Sequence, residues 1–299
     1  MITVLLLGAL AHGDSLEALG PEGSVELRPL PWLDGACRDA RFPRLAGAWA
    51  MGCEDKQGVS RAWNLDTGER IELSDAPVSP GLADGVVFSV GEVEGLWRLP
   101  AVESVTDLPR IPVRTIAPPA TDGTQAVVVT PENLQLFVLG EPLRKHVEAV
   151  PAPWYPPAIS GNWLAWVDLS RLEETGEDIL LHHADTGRVE TLAGGPGNER
   201  HVVASGDWLA WLDDDGVVIL HLETREMVRI ETDAHTTTGL GLWGSVACWE
   251  EWSEGDVDLR CSDGLRVRGS GHQRRPSRWG RYLLFESEGR TWVAVLDEA

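Results

Sequence analysis

The chain has 299 residues, 43% of them hydrophobic and 24% charged, with 32 glycines; this is the composition of a globular, turn-rich protein and excludes a disordered or membrane-spanning one. Its formal net charge of −22 repels phosphate backbones and anionic lipid, which argues against general nucleic-acid binding and against adhesion to a membrane. The length fits one large all-β domain or two ordinary ones, so the domain count has to come from internal repeats.

The chain opens on "MITVLLLGALA" at 1–11, an apolar run ending in the small-x-small pattern Ala9-Leu10-Ala11, which reads as a signal peptide. No Lys or Arg precedes it, so a wrongly chosen start codon and a buried N-terminal strand are the alternatives. No later stretch is long and apolar enough to span a bilayer. The expected location is therefore periplasmic or secreted.

Residues 24–30, "SVELRPL", belong to no repeat of their own. They are expected to pair with 291–297 at the other end of the chain and so remove an unpaired edge. The four cysteines, Cys37, Cys53, Cys248 and Cys261, form no CxxC and no zinc-finger spacing. Cys248 and Cys261 sit symmetrically about the turn "SEGD" at 253–256, which places them opposite one another on paired strands, within disulfide reach. Two unrelated buried thiols are the alternative, and Cys37 with Cys53 is a second candidate pair.

From residue 43 a unit recurs. Gly47, Gly85, Gly123, Gly161, Gly206, Gly244 and Gly280 follow one another mostly at steps of 38 residues. Each leads into a short apolar run: "AWAM", "VVFSV", "AVVV", "WLAWV", "WLAWL", "VACW" and "YLLF". These runs are too short for stable helices and rich in β-branched and aromatic residues, so they predict strands. A later turn recurs as "NLDTGERIEL" at 64–73, "HADTGRVETL" at 183–192 and "HLETREMVRI" at 221–230. A unit of this size with four short strands is that of a propeller blade. Trp163 and Trp166 lie three apart and point to opposite faces of a strand. Trp208 and Trp211 do the same. Runs this apolar imply sheets covered on both faces, so these indoles, with Trp249, are expected between blades.

The segments "ATDGTQAVVV", "LADGVVFSV" and "DILLHHADTGRVETL" resemble the repeat of TolB-like (WD40-like) β-propellers over roughly residues 43–297. Several copies depart from the pattern, with Ser-Gly-Asn or Ser-Gly-Asp in place of the Asp-Gly turn. The resemblance implies an exported binding or scaffolding propeller and carries no partner-contacting motif. The expected architecture is all-β: one domain over 24–299, a seven-bladed propeller whose last blade is completed by the N-terminal strand. Six blades with one degenerate repeat is the alternative.

Functional residues are expected in the loops around the mouth of such a ring. The run "GLRVRGSGHQRRPSRWGR" at 264–281 has six arginines and no acid, a local reversal of sign. Arg274, Arg275 and Arg278, with Arg38, Arg41 and Arg44 from the loop before the first blade, form a candidate site for an acidic ligand. The alternative is that these arginines pair with Asp and Glu on adjacent blades. Trp154 and Tyr155 in "PAPWYPP" could stack on a sugar or a proline-rich peptide, or plug the channel. His201, His235 and His272 are weak candidates for a metal, lacking a carboxylate at a known spacing.

No G-x-S-x-G, H-E-x-x-H or Walker motif is present, and no cofactor is expected. The sequence thus predicts an exported, non-catalytic propeller that binds a protein or an acidic ligand through its loop face. An enzyme acting on an anionic polysaccharide, a metal-assisted lyase or hydrolase, is the alternative. Oligomeric state cannot be read from the chain.

Overall fold

A computed structural model describes residues 16–20, 25–30, 44–53, 60–73, 81–83, 86–89, 95–99, 115–138, 144–232, 239–253 and 255–296. These residues are all strands, turns and connections, with no helix among them. They form seven antiparallel sheets in chain order, spanning 44–73, 81–98, 120–148, 158–193, 200–231, 240–268 and 273–296. Most sheets are simple meanders in which each strand pairs with the next in sequence. The two N-terminal strands join the last two sheets.

The recurring glycines do what their spacing implies. Gly47, Gly123, Gly161, Gly206, Gly244 and Gly280 all have positive φ and turn the first strand of a sheet into the second. A side chain at these positions would be strained whatever the space around it. Gly85 lies outside the described residues.

Packing explains the apolar runs. In the strand Trp163–Asp168, Leu164 and Trp166 belong to a core shared with Val127, Val129, Leu134 and Leu136 of the third sheet. The intervening Ala165 and Val167 belong to a core shared with Leu209, Trp211, Val218 and Leu220 of the fifth. Successive side chains of one strand thus enter two different cores, the condition under which a strand is apolar throughout rather than alternating. The fifth sheet repeats the arrangement: Ala210 and Leu212 face Leu240, Leu242 and Trp249 of the sixth.

Two further cores involve the last sheet. Leu283, Phe285 and Ala294 pack with Cys248, Leu259 and Val267 of the sixth sheet. Tyr282, Leu284 and Val293 pack with Leu45 and Ala50 of the first. The first strands of successive sheets neighbour one another, and Gln273–Trp279 lies against Arg44–Ala46.

The predicted pairing of 24–30 with 291–297 is present. Val25–Pro29 runs antiparallel to Arg290–Leu296, with Val25 opposite Leu296 and Pro29 opposite Trp292. The sequence reading missed Glu17–Leu19, which pairs with Arg266–Arg268 as the fifth strand of the sixth sheet. The N-terminal segment therefore staples two neighbouring sheets. Cys248 and Cys261 are directly opposed across paired strands and form a disulfide. Cys37 lies outside the described residues, as do the side chain of Cys53 and residues 1–11.

Candidate functional site

In a meander, the segment entering the first strand and the turn joining the second and third strands lie at the same end of the sheet. In the fourth and fifth sheets these are 149–157 with 169–175, and 194–199 with 214–215. The connection 149–157 enters the fourth sheet and is anchored by Asp168, which is buried. One carboxylate oxygen of Asp168 accepts the Val150 N–H at 3.0 Å and the Trp166 indole N–H at 2.9 Å; the other accepts the Ser170 N–H at 2.9 Å.

That anchored connection carries Trp154 and Tyr155. Trp154 is 50% exposed, whereas Trp166, Trp211 and Trp249 are 1–3% exposed. The Trp154 indole N–H donates to Glu177 Oε1 at 3.1 Å. Tyr155 meets Trp154 edge-on, with ring centroids 6.2 Å apart. It packs on the other side against His201 at 4.6 Å. The Trp154 indole is thus held at its N–H by a buried carboxylate while half of its surface is exposed.

Several ionisable groups near this connection are shifted by burial. Burial pushes the Tyr155 hydroxyl up to about 12, helped by Glu177 and opposed by Arg200. Burial also raises the Glu177 carboxyl, against the Trp154 hydrogen bond and Arg200. Glu199 is raised to about 7 by burial and by the neighbouring Asp178, with smaller contributions from Asp213 and Asp214. Sequence reasoning missed Glu177, Glu199 and Arg200. The stretch "AGGPGNER" that holds Glu199 and Arg200 carries no catalytic pattern, and only the pairing of strands brings it against Glu177.

His201 itself has positive φ, and so does Arg275. Both residues lie five positions before a turn glycine, Gly206 and Gly280. Both first strands also slip register here, between Arg200 and Val203 and between Arg274 and Ser277. Bulges with a left-handed non-glycine residue re-aim side chains at the end of a strand, and they concentrate near sites. The signal was present in the sequence as an equivalence between repeats.

The arginine run separates into different environments. Arg275 pairs with Glu286 at 2.6 Å, and its backbone N–H donates to Glu250 at 2.8 Å. Arg278, contrary to the expectation of a mouth residue, is buried: it reaches Asp263 at 3.3 Å and donates to the Gly280 carbonyl at 3.0 Å. Burial lowers the Arg278 guanidinium, against the pull of Asp263. Arg281 bridges to Asp66 of the first sheet at 3.1 Å. Much of the run is therefore paired with acids, several of them on adjacent sheets. Arg274 Nε and Arg278 Nη1 are both buried without a hydrogen-bond partner. Arg44 begins the first strand of the first sheet, while Arg38 and Arg41 lie outside the described residues.

The two described candidate histidines have different partners. His201 packs on Tyr155, whereas His272 contacts Trp252 at 5.6 Å and Asp256 at 3.0 Å; His235 lies outside the described residues. Among the described residues no three His, Cys, Asp or Glu side chains are grouped to hold a metal. A groove of about 720 Å³ between the fifth and sixth sheets is lined by Asp214, Asp215, Glu231, Arg229, Arg260 and the exposed Trp252. Its arginines already face Asp213 and Glu251, so it offers an acidic ligand no uncommitted cation. No helix among the described residues is long and apolar enough to cross a membrane.

No family model matches the sequence, and no curated protein is similar to it. In three dimensions the chain resembles the β-propeller domain of Cps50 (Swd1) from Myceliophteria thermophila, with 14% identity and a TM-score of 0.55 over 86% of this chain and 95% of that one. It resembles the β-propeller domain of the Trilobed protease from Pyrococcus furiosus, with 12% identity and a TM-score of 0.56 over 84% and 92%. A catalytically inactive virginiamycin B lyase from Staphylococcus aureus, solved with quinupristin, matches with 10% identity and a TM-score of 0.56 over 92% and 100%. Identities this low carry the fold and not the activity. The face-to-face antiparallel sheets and these likenesses together make the chain a β-propeller.

Proposed function

We propose that this chain is a non-catalytic, exported, TolB-like propeller of a single domain, with seven blades closed by the N-terminal strand, that captures a protein partner on its loop face. The observation that carries the binding role is Trp154, half exposed and held by Glu177 on an anchored loop, while the other tryptophans of its blade and the next are at least half buried. A rigid, exposed indole surrounded by polar groups is the usual centre of a protein-binding patch. The seven-bladed reading is supported by seven sheets whose first strands succeed one another and by the packing of Tyr282 and Leu284 against Leu45. The exported location is supported by the disulfide and the apolar leader.

A protein partner is favoured over a small acidic ligand because Arg275, Arg278 and Arg281 are engaged internally. Arg274 stays as the guanidinium of the run that would meet a partner's carboxylate. Immobilised protein should capture its partner from an extract of exported proteins, and Trp154→Ala should reduce that capture at least tenfold, the loss expected of a central aromatic. Arg274→Glu should weaken it less and make the remainder more sensitive to salt. Equal capture by wild type and both variants would overturn this reading.

A further inference from the structure

Segment 194–199 joins the outer strand of the fourth sheet, Arg188–Ala193, to the inner strand of the fifth, Arg200–Ser205. It does not arch away between them. Gly197 and Asn198 pair in parallel with Gly176 and Glu177. The Gly197 N–H donates to the Thr175 carbonyl at 3.2 Å and the Glu199 N–H to the Glu177 carbonyl at 2.9 Å. This contact depends on Gly176, which has φ +92; a Cβ there would stand 2.0 Å from the Gly197 carbonyl oxygen. On the other side the Asn198 N–H donates to Asp214 at 3.2 Å, and Arg200 approaches Asp214 at 3.6 Å.

The same backbone contacts carry the Glu199 carboxyl among acids. Asp178 faces it from the strand Gly176–His183, and Asp213 and Asp214 face it from the turn of the fifth sheet. The available cations are committed elsewhere: Arg171 to Asp178 at 2.8 Å, Arg229 to Asp213 at 2.5 Å and Arg200 to Asp214. Glu199 Oε2 and Asp178 Oδ1 are both buried without a hydrogen-bond partner, and Asp178 as a whole is 0% exposed. Buried acceptors with no donor are costly, and more so when both are charged. A proton on Glu199 removes one charge from this cluster and relieves its repulsion from Asp178.

We propose that segment 194–199 is a proton-controlled strap, closed on the fourth sheet while Glu199 carries its proton and lifting when Glu199 ionises, which loosens the Glu177 backbone that seats Trp154. The effect on partner binding rests on reading Trp154 as the contact point; the opening of the strap does not. The sign follows from linkage. A carboxyl that holds its proton up to about pH 7 when closed and releases it in the ordinary carboxylate range when open makes opening easier as pH rises between those limits. Above them the effect levels off.

Amide hydrogen exchange on the full chain, corrected for intrinsic rates, tests this between pH 5 and pH 8. Protection of the Gly197 and Glu199 amides should fall by roughly 70-fold over that range in the wild type. In Glu199→Gln it should be flat, and in Gly176→Ala low throughout. Unchanged protection of the Val127 and Leu136 amides in the third sheet verifies that each variant is folded. A wild-type strap without pH dependence, or a Glu199→Gln strap with the same slope, would overturn the proposal. Partner capture measured over the same pH range separates the two readings: a strap that opens while capture stays constant overturns the coupling to Trp154 and leaves the strap intact.

Discussion

Tryptophan divides into two roles in this chain, and burial separates them. Trp166 fills the interface between the third and fourth sheets and gives its N–H to Asp168. Its replacement by Ala leaves a large cavity and takes one of three hydrogen bonds from the buried Asp168, and should cost about 3–5 kcal/mol of unfolding free energy in urea titration. Trp154→Ala removes a ring that water already surrounds on one side, and should change stability by less than about 1 kcal/mol while reducing partner capture. The core indoles were legible because "WLAWV" and "WLAWL" sit in a repeat and alternate faces. Trp154 was legible only as a choice between platform and plug, since exposure depends on where the loop comes to rest.

Arginine gives the opposite lesson. A run of like charges suggested a single patch, yet inward and outward positions alternate along Gln273–Trp279 and a bulge shifts the register partway. Arg278 thus enters the protein while Arg274 and Arg275 stay near the loop face. Removing a buried cation's side chain strands its partner, so Arg278→Ala should destabilise by about 3 kcal/mol. Arg274→Ala should fall within about 1 kcal/mol of wild type in the same titration. Parallel values for the two would show that Arg278 is not buried as described.

At the scale of elements, the repeat made sheet count and turn positions readable, because glycine at positive φ and a both-sided apolar run are local signals. Glu17–Leu19 was missed because three residues carry too little pattern to identify a strand. Its place is fixed by the partner edge Arg266–Arg268, which is distant in sequence. The disulfide was readable from symmetry about a turn. It closes a short loop, with the two cysteines 13 residues apart. Replacing both by Ser should therefore cost about 3 kcal/mol, seen as a lower urea midpoint. Much of the loop face was not readable. The cluster of Glu177, Asp178, Glu199, Asp213 and Asp214 is assembled by a parallel strand contact and a neighbouring sheet, neither of which leaves a spacing in the sequence.

For the whole molecule, the sheets gain stability mostly from one another. Each described core is shared between two neighbouring sheets, so no sheet is expected to persist alone, as in other repeat architectures. The last sheet meets both the sixth and the first, and its outer strand is supplied by Val25–Pro29 from the far end of the chain. Leu30 continues this segment into the core shared with Leu45 and Tyr282. The N-terminal segment therefore pairs with the last two sheets and reaches the core shared with the first.

Directly opposed residues across this junction give the sharpest test. Glu26 faces Val295, and Glu26→Cys with Val295→Cys, oxidised in the folded protein, should form a disulfide-linked peptide pair visible by mass spectrometry and should raise the urea midpoint. No linkage in the folded state, or linkage with a lowered midpoint, would contradict closure by the N-terminal strand.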